Sequence, residues 1–251
     1  MLASVPNNIL RRFHQACADY QLLEDGDHVL IGLSGGKDSL ALTELLGQRS
    51  KIYKPRFRVT ALHVRVKERA YQTDLSYLES FCREAGVPLL VRDVEIGESP
   101  ITNHQSPITN HQSPNPCFLC AWYRRKTLFN VAQEIGCNKI AFGHHRDDVL
   151  ETMLMNLIYQ GAFATMPPKL ALDKMPIAII RPLCLIDEQD IIRLAEQRQY
   201  AKQPKLCPFE HVSSRAKVKE LLAQIKALNP EASDSMFAAL TNIKTDYLPE
   251  K

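Results

Sequence analysis

One stretch constrains the fold more than any other. Val29-Leu30-Ile31-Gly32 runs into Leu33-Ser34-Gly35-Gly36-Lys37-Asp38-Ser39-Leu40 and then into a helical pattern through Glu44 and Leu46. A strand that turns through two glycines into a helix directs several backbone N–H groups and the positive end of a helix dipole at one point. Such a turn is a phosphate cradle. The glycines admit an anion close to the backbone, Lys37 neutralises it, and Ser34 and Ser39 add hydroxyl donors. The spacing is not that of a Walker A loop, whose glycines are far apart. Here they are adjacent, and an acid follows the lysine.

Beyond this turn, strand and helix patterns alternate. Ile9, Leu10, Phe13, Ala16, Cys17, Tyr20 and Leu23 recur at helical spacing within residues 8–23. Strands are expected at 28–33, 58–66, 88–94, 139–143 and 177–183, with helices at 38–48, 74–85, 121–135, 149–159 and 187–199. Asp187 reads as the N-cap of the last of these. This predicts an α/β fold with a doubly wound, mainly parallel five-stranded sheet covered by helices on both faces. The expected division is an N-terminal helix over 1–24, an α/β domain over 25–200 and a helical C-terminal segment over 201–251. With 251 residues, 45% of them hydrophobic, the chain can bury a substantial core. In a doubly wound sheet the ligand lies beyond the carboxyl ends of the strands. Ser34, the His63 region, Gly143 and His144 should meet there.

The formal charge of +3, from 31 basic and 28 acidic residues, gives no overall signature of a nucleic-acid binder. Local patches must carry that role. Arg124, Arg125 and Lys126 follow Cys120 by one helical turn and can hold an RNA backbone. Arg49, Lys51, Lys54, Arg56 and Arg58 form a second basic stretch, read first as a solvated loop and second as an RNA patch. No apolar run is long enough to cross a membrane, so a soluble, cytoplasmic protein without membrane partners is expected. Seven cysteines, an odd number, argue against a disulfide framework. Cys17, Cys82, Cys137 and Cys184 read as core residues. Cys117-Phe-Leu-Cys120 can clamp a metal, form a redox disulfide or be incidental. A structural zinc site would need a second such pair, and none occurs. Cys207, flanked by Pro204 and Pro208, also has the setting of a ligand loop. Three cysteines suit a 4Fe-4S cluster with one iron left open to sulfur. The tandem Ser99–Gln105 and Ser106–Gln112 repeat is expected to be a flexible, irregular loop over about 97–116, a candidate flap. Its His104 and His111 are not read as ligands. Asp147 and Asp148 follow a strand end and open a helix. They either cap it or, beside a phosphate cradle, bind magnesium.

Five pieces together, Ser34–Ser39, Cys117–Cys120, Gly143-His-His-Arg-Asp-Asp148, Met166-Pro-Pro-Lys-Leu170 and Ile180-Arg-Pro-Leu183, resemble the tRNA 2-thiocytidine synthetase family of PP-loop tRNA thiolases. The resemblance spans about residues 30–228. It implies a Rossmann-like fold of the adenine nucleotide alpha hydrolase type. It also implies cleavage of ATP between the α and β phosphates, adenylylation of the C2 oxygen of a tRNA pyrimidine (cytidine first), and replacement of that oxygen by sulfur. Cluster ligands then map onto Cys117, Cys120 and Cys207. The expected site has ATP held by Ser34, Gly35, Gly36, Lys37, Asp38, Ser39, His63, Gly143 and His144. Mg2+ is held by Asp38 with Asp147 or Asp148, and Arg124 acts beside them, with Arg125 and Lys126 on the RNA. The expected partners are tRNA, a sulfur-donor system such as a cysteine desulfurase, and a second copy of the chain. Lys205-Leu-Cys-Pro-Phe-Glu210 is closer to the related 2-thiouridine synthetases, although their zinc-finger cysteine pairs are missing. A lysidine synthetase-like ligase and a non-enzymatic ATP-binding regulator are the rival readings.

Overall fold

The computed structural model describes residues 5–67, 73–96, 116–201 and 214–249. The SPITNHQ repeat, with His104 and His111, and the third cysteine, Cys207, lie outside them. In chain order the elements are α1 (Asn7–Asp19), β1 (His28–Gly32), α2 (Lys37–Ser50), β2 (Arg58–Val66), α3 (Leu75–Ala85), β3 (Leu89–Val94) and α4 (Pro116–Glu134). Then follow β4 (Lys139–Ala141), α5 (Arg146–Gln160), β5 (Lys169–Ala171), β6 (Ala178–Ile180), α6 (Glu188–Gln197), α7 (Ser214–Leu228) and α8 (Ala232–Ala239).

The sheet has six strands in the order β3-β2-β1-β4-β6-β5. The first four neighbour pairs are parallel and β5 alone runs antiparallel, against β6. The expected mainly parallel, doubly wound sheet is present, with one strand more than the five predicted. The extra strand, β5, is three residues long and largely exposed, so it lacks the apolar run that marks a buried strand. It exists because Lys169–Ala171 folds back along Ala178–Ile180 as an edge hairpin. Chain order reverses between β1 and β4, which opens the ligand crevice at their carboxyl ends.

β1 shows how the sequence makes the layers. Val29, Leu30 and Ile31 are all fully buried, because helices cover both faces of a parallel strand. Side chains alternate along it. Val29 and Ile31 join Ile9 and Phe13 of α1, Leu40, Leu42, Leu45 and Leu46 of α2, Leu78 of α3 and Leu194 of α6. Leu30 turns to the other face, with Leu62, Val64, Ile140 and the α4 residues Leu128, Val131 and Ala132. Burying a side chain such as Phe13 contributes about 2–3 kcal/mol. Cys82, Cys137 and Cys184 are buried in these cores as expected, and Cys17 packs against the first. A third cluster joins Leu150, Met153 and Leu154 of α5 to Val218 and Leu222 of α7. That contact lays α7 across the crevice end of the molecule.

Two local expectations change. α4 begins at Pro116 rather than Ala121, so Cys117 and Cys120 lie inside its first two turns. Asp187 occupies the N-cap position of α6, but its side chain makes no cap hydrogen bond. It accepts instead from Arg146 Nε at 2.7 Å.

Candidate active site

The turn after β1 holds its shape through its serines. Gly35 has φ +85°, a conformation that a side chain would strain. Ser39 Oγ donates to the Gly36 carbonyl at 2.9 Å and accepts from Ser34 N–H at 3.2 Å. Ser34 Oγ lies 3.0 Å from Ser39 Oγ and accepts from Gly36 N–H at 3.3 Å. Gly36 is the N-cap of α2 and brings no capping side chain. The first N–H groups of a helix have no partner within it, so they face the crevice as donors for an anion.

Two other strand ends close around this turn. From β2, buried His63 places Nδ1 2.8 Å from the Leu33 carbonyl. The carbonyl can only accept, so Nδ1 carries the hydrogen. Burial pushes the His63 pKa down, with the Leu33 hydrogen bond opposing and the Arg124 charge assisting. From β4, Gly143 packs directly on the first turn of α2. A β-carbon there would lie 2.9 Å from the Asp38 carbonyl carbon and oxygen and 3.1 Å from Ser39 N. Only glycine permits that approach. His144 follows, its Nδ1 buried without a hydrogen-bond partner among the described residues. Burial drives its pKa down to about 4, so the ring is neutral at pH 7, and Asp148 only partly offsets this. An orphaned, uncharged imidazole nitrogen beside a phosphate cradle fits a polar nucleotide contact.

His145 caps α5. Its Nδ1 accepts from Asp148 N–H at 3.3 Å while the Asp148 carboxylate accepts from His145 N–H at 3.0 Å, a reciprocal capping box. The opposite ring nitrogen lies 3.4 Å from Asp148 Oδ2 and 3.9 Å from Asp38 Oδ1. Asp147 is buried and caps a different helix, accepting from Glu188 N–H, the first residue of α6, at 2.8 Å. Its other oxygen meets Lys226 of α7. Lys37 Nζ sits 3.0 Å from Asp38 and 3.2 Å from Glu188. Burial works against its charge, but the two carboxylates outweigh burial and raise the Lys37 pKa.

α4 enters from the far side of the crevice. It follows β3 and packs on β2, β1 and β4, so its N-terminal turns lie at the carboxyl end of the sheet. Arg124 is half-buried and close enough for its charge to lower the His63 pKa, whereas Arg125 and Lys126 are exposed, Lys126 over the Trp122 ring at 5.0 Å. Cys120 is a half-buried free thiol. Cysteine sulfur is the ligand that holds iron–sulfur clusters. The chemistry of this part of the donor set fits a cluster. Asp38 fits magnesium, which commonly takes one or two carboxylates and completes its shell with phosphate oxygens and water. Among the described residues no preformed group of three or more metal-binding side chains exists.

A profile of the PP-loop domain matches residues 6–202. The chain belongs to the PP-loop family. It is 35% identical over 241 residues to a tRNA-cytidine(32) 2-sulfurtransferase of Paracidovorax citrulli, across 96% of this chain and 75% of that one. A protein of the same name from Alkalilimnicola ehrlichii is 35% identical over 237 residues, across 94% and 73%. Among solved structures, a U34-tRNA thiolase of Methanococcus maripaludis, carrying a 4Fe-4S cluster, aligns with TM-score 0.69 and 28% identity over 94% of this chain and 79% of that one.

This PP-loop protein also places residues at the crevice that its sequence does not announce. Glu188 accepts from Lys37 and, at 2.8 Å, from Lys219 of α7. Arg215 of α7 bridges Asp148 at 2.8 Å and Glu151 at 3.1 Å. Together with Lys226, three cations of one helix thus face the crevice carboxylates. Their spacing on α7 is a helical signal, but nothing local names their partners. The two remaining motifs clasp each other, since Arg181 donates to the Pro167 carbonyl at 2.5 Å and its N–H to the Pro168 carbonyl at 2.8 Å.

Proposed function

We propose that this protein is an ATP-dependent tRNA sulfurtransferase that converts a cytidine, at position 32 by the name of its relatives, to 2-thiocytidine. One observation carries the reading. The PP-loop of α2 and the cysteine-bearing first turns of α4 open onto the same end of the sheet. An activating site and a sulfur site are thereby neighbours.

A ring carbonyl oxygen is a poor leaving group. Attack of the cytidine C2 oxygen on the α-phosphorus of ATP forms the O–P bond, expels pyrophosphate and converts that oxygen into part of AMP. Sulfide then adds at C2 and AMP leaves. Ser34, Gly35, Gly36 and Ser39 hold the pyrophosphate portion, and Lys37 meets the charge that develops on it. Asp38, with Asp147 or Asp148 behind it, binds Mg2+. His63, Gly143 and His144 border the nucleotide. Arg124 acts between nucleotide and base, and Arg125 and Lys126 lie on the RNA backbone. Cys117, Cys120 and Cys207 hold a 4Fe-4S cluster, which when bound supplies an open iron for exogenous sulfide. A cysteine desulfurase system is the sulfur source, and the working form is a cytoplasmic homodimer.

The test is anaerobic reconstitution with iron and sulfide, followed by incubation with ATP, Mg2+, a sulfide source and unmodified tRNA. Iron–sulfur absorption, tRNA-dependent release of AMP and pyrophosphate, and 2-thiocytidine in the digested RNA are expected. Pyrophosphate release without a thiolated nucleoside would instead mark a ligase of the lysidine synthetase kind. Iron binding that survives Cys207→Ala would remove Cys207 from the ligand set.

A further inference from the structure

The C-terminal end of α2, the loop after it and the first residue of β2 hold Arg49, Lys51, Lys54, Arg56 and Arg58 within ten residues that contain no acid. By contrast, several surface cations elsewhere are matched with carboxylates, as in Arg65–Asp93 at 2.6 Å, Arg92–Glu134 at 2.9 Å and Arg193–Asp190 at 3.2 Å. None of the five has an ion-pair partner among the described residues, and Lys51, Lys54, Arg56 and Arg58 are exposed. The loop is built rather than merely solvated. Arg49 donates to the Lys54 carbonyl at 2.8 Å, and Arg56 N–H donates to Asp25 at 2.6 Å. Tyr53 is 67% exposed, and the Arg56 guanidinium covers its ring at 4.3 Å from the centroid. Beside it, Ile52 is 50% exposed. A groove of about 450 Å3, lined by His14, Cys17, Arg49, Ile52 and Pro55, lies alongside.

We infer that this face is a second RNA contact, which binds the sugar-phosphate backbone of the tRNA at a distance from the reacting nucleotide and offers Tyr53 with Arg56 as a stacking platform for an unpaired base. It rests on the tRNA reading above. Cations not already matched by acids can neutralise RNA phosphates and so release the counterions condensed on the RNA. An exposed aromatic with a stacked guanidinium suits a nucleobase better than an acidic protein surface. α2 separates the patch from the PP-loop by about 20 Å, at roughly 1.5 Å per residue, so a bulky RNA can span both while a mononucleotide cannot.

The experiment is fluorescence anisotropy of unmodified full-length tRNA with the whole chain, across a salt series. Lys51→Ala/Lys54→Ala/Arg56→Ala should weaken binding about tenfold or more at 0.1 M salt and flatten the log Kd against log salt slope by about 2. Tyr53→Ala should weaken binding by about tenfold with its slope unchanged. Arg92→Ala/Arg193→Ala, which removes cations already matched by acids, should do neither, and ATP binding should be the same in all variants. Wild-type affinity and slope in the triple variant would overturn the second contact alone. So would an equal loss per charge in the control. A wild-type chain that does not bind tRNA would overturn the proposed function as well.

Discussion

Gly143→Ala probes whether the β4 turn and the PP-loop form one site. The added methyl would lie 2.9 Å from the Asp38 carbonyl carbon and oxygen and 3.1 Å from Ser39 N, all backbone atoms of the first turn of α2. Ordinary carbon contacts begin near about 3.5 Å, so the two segments must part by roughly half an ångström. The overpacking should cost about 1–3 kcal/mol of stability. The larger effect falls on chemistry, because a displacement approaching about 1 Å at a reacting centre can cost about a hundredfold in rate. We expect AMP formation to fall roughly ten- to a hundredfold. Gly36→Ala, itself in the phosphate-binding turn, is the control for stability only: its β-carbon would meet only Ser34 Oγ, at an ordinary 3.5 Å. It should leave stability within about 1 kcal/mol of wild type. Chemical denaturation and tRNA-dependent AMP release measure both. A Gly143→Ala protein with wild-type stability and rate would refute the packing of the β4 turn on the PP-loop.

Other perturbations follow from the ion pairs. Glu44 and Arg198 are each 3% exposed at 2.6 Å, with Tyr200 donating to the second Glu44 oxygen at 2.7 Å. Glu44→Gln should therefore cost about 3–5 kcal/mol in urea denaturation, and a loss under about 1 would contradict a buried charge pair. Asp147 has its pKa lowered against the cost of burial by Glu188 N–H and Lys226. A carboxylate whose folded pKa is depressed gives its full stabilisation above the unfolded value, here 3.8, and loses it as pH falls through the lower folded value. Lys226→Met should thus be less stable than wild type by about 1–2 kcal/mol at pH 7, with the gap closing below pH 3.8. A gap independent of pH would place the effect in packing instead.

What the sequence discloses is what local geometry fixes. The strand–glycine–helix turn, the alternation of burial along β1 and the capping carboxylate of Asp148 all depend on neighbours within a few residues. The start of α4 was also legible. Pro116 is its first residue, a position that proline favours, so the Cys-x-x-Cys stretch belongs to the helix expected only from Ala121. β5 was not legible, because a short exposed edge strand carries no apolar period. Nor were the partnerships of Glu188, Asp147 and Asp187. Each acid looks like a first-turn helix residue, yet Asp147 caps α6 from another helix while Asp187 holds Arg146. Only the tertiary approach of α5, α6 and α7 makes that exchange.

The most direct measurement is mass-spectrometric analysis of tRNA nucleosides from cells lacking this protein, complemented with wild-type or Cys117→Ala chains. Loss of 2-thiocytidine, restored by the wild type and not by the cysteine variant, is the predicted result. Unchanged 2-thiocytidine in the deletion strain would contradict the account.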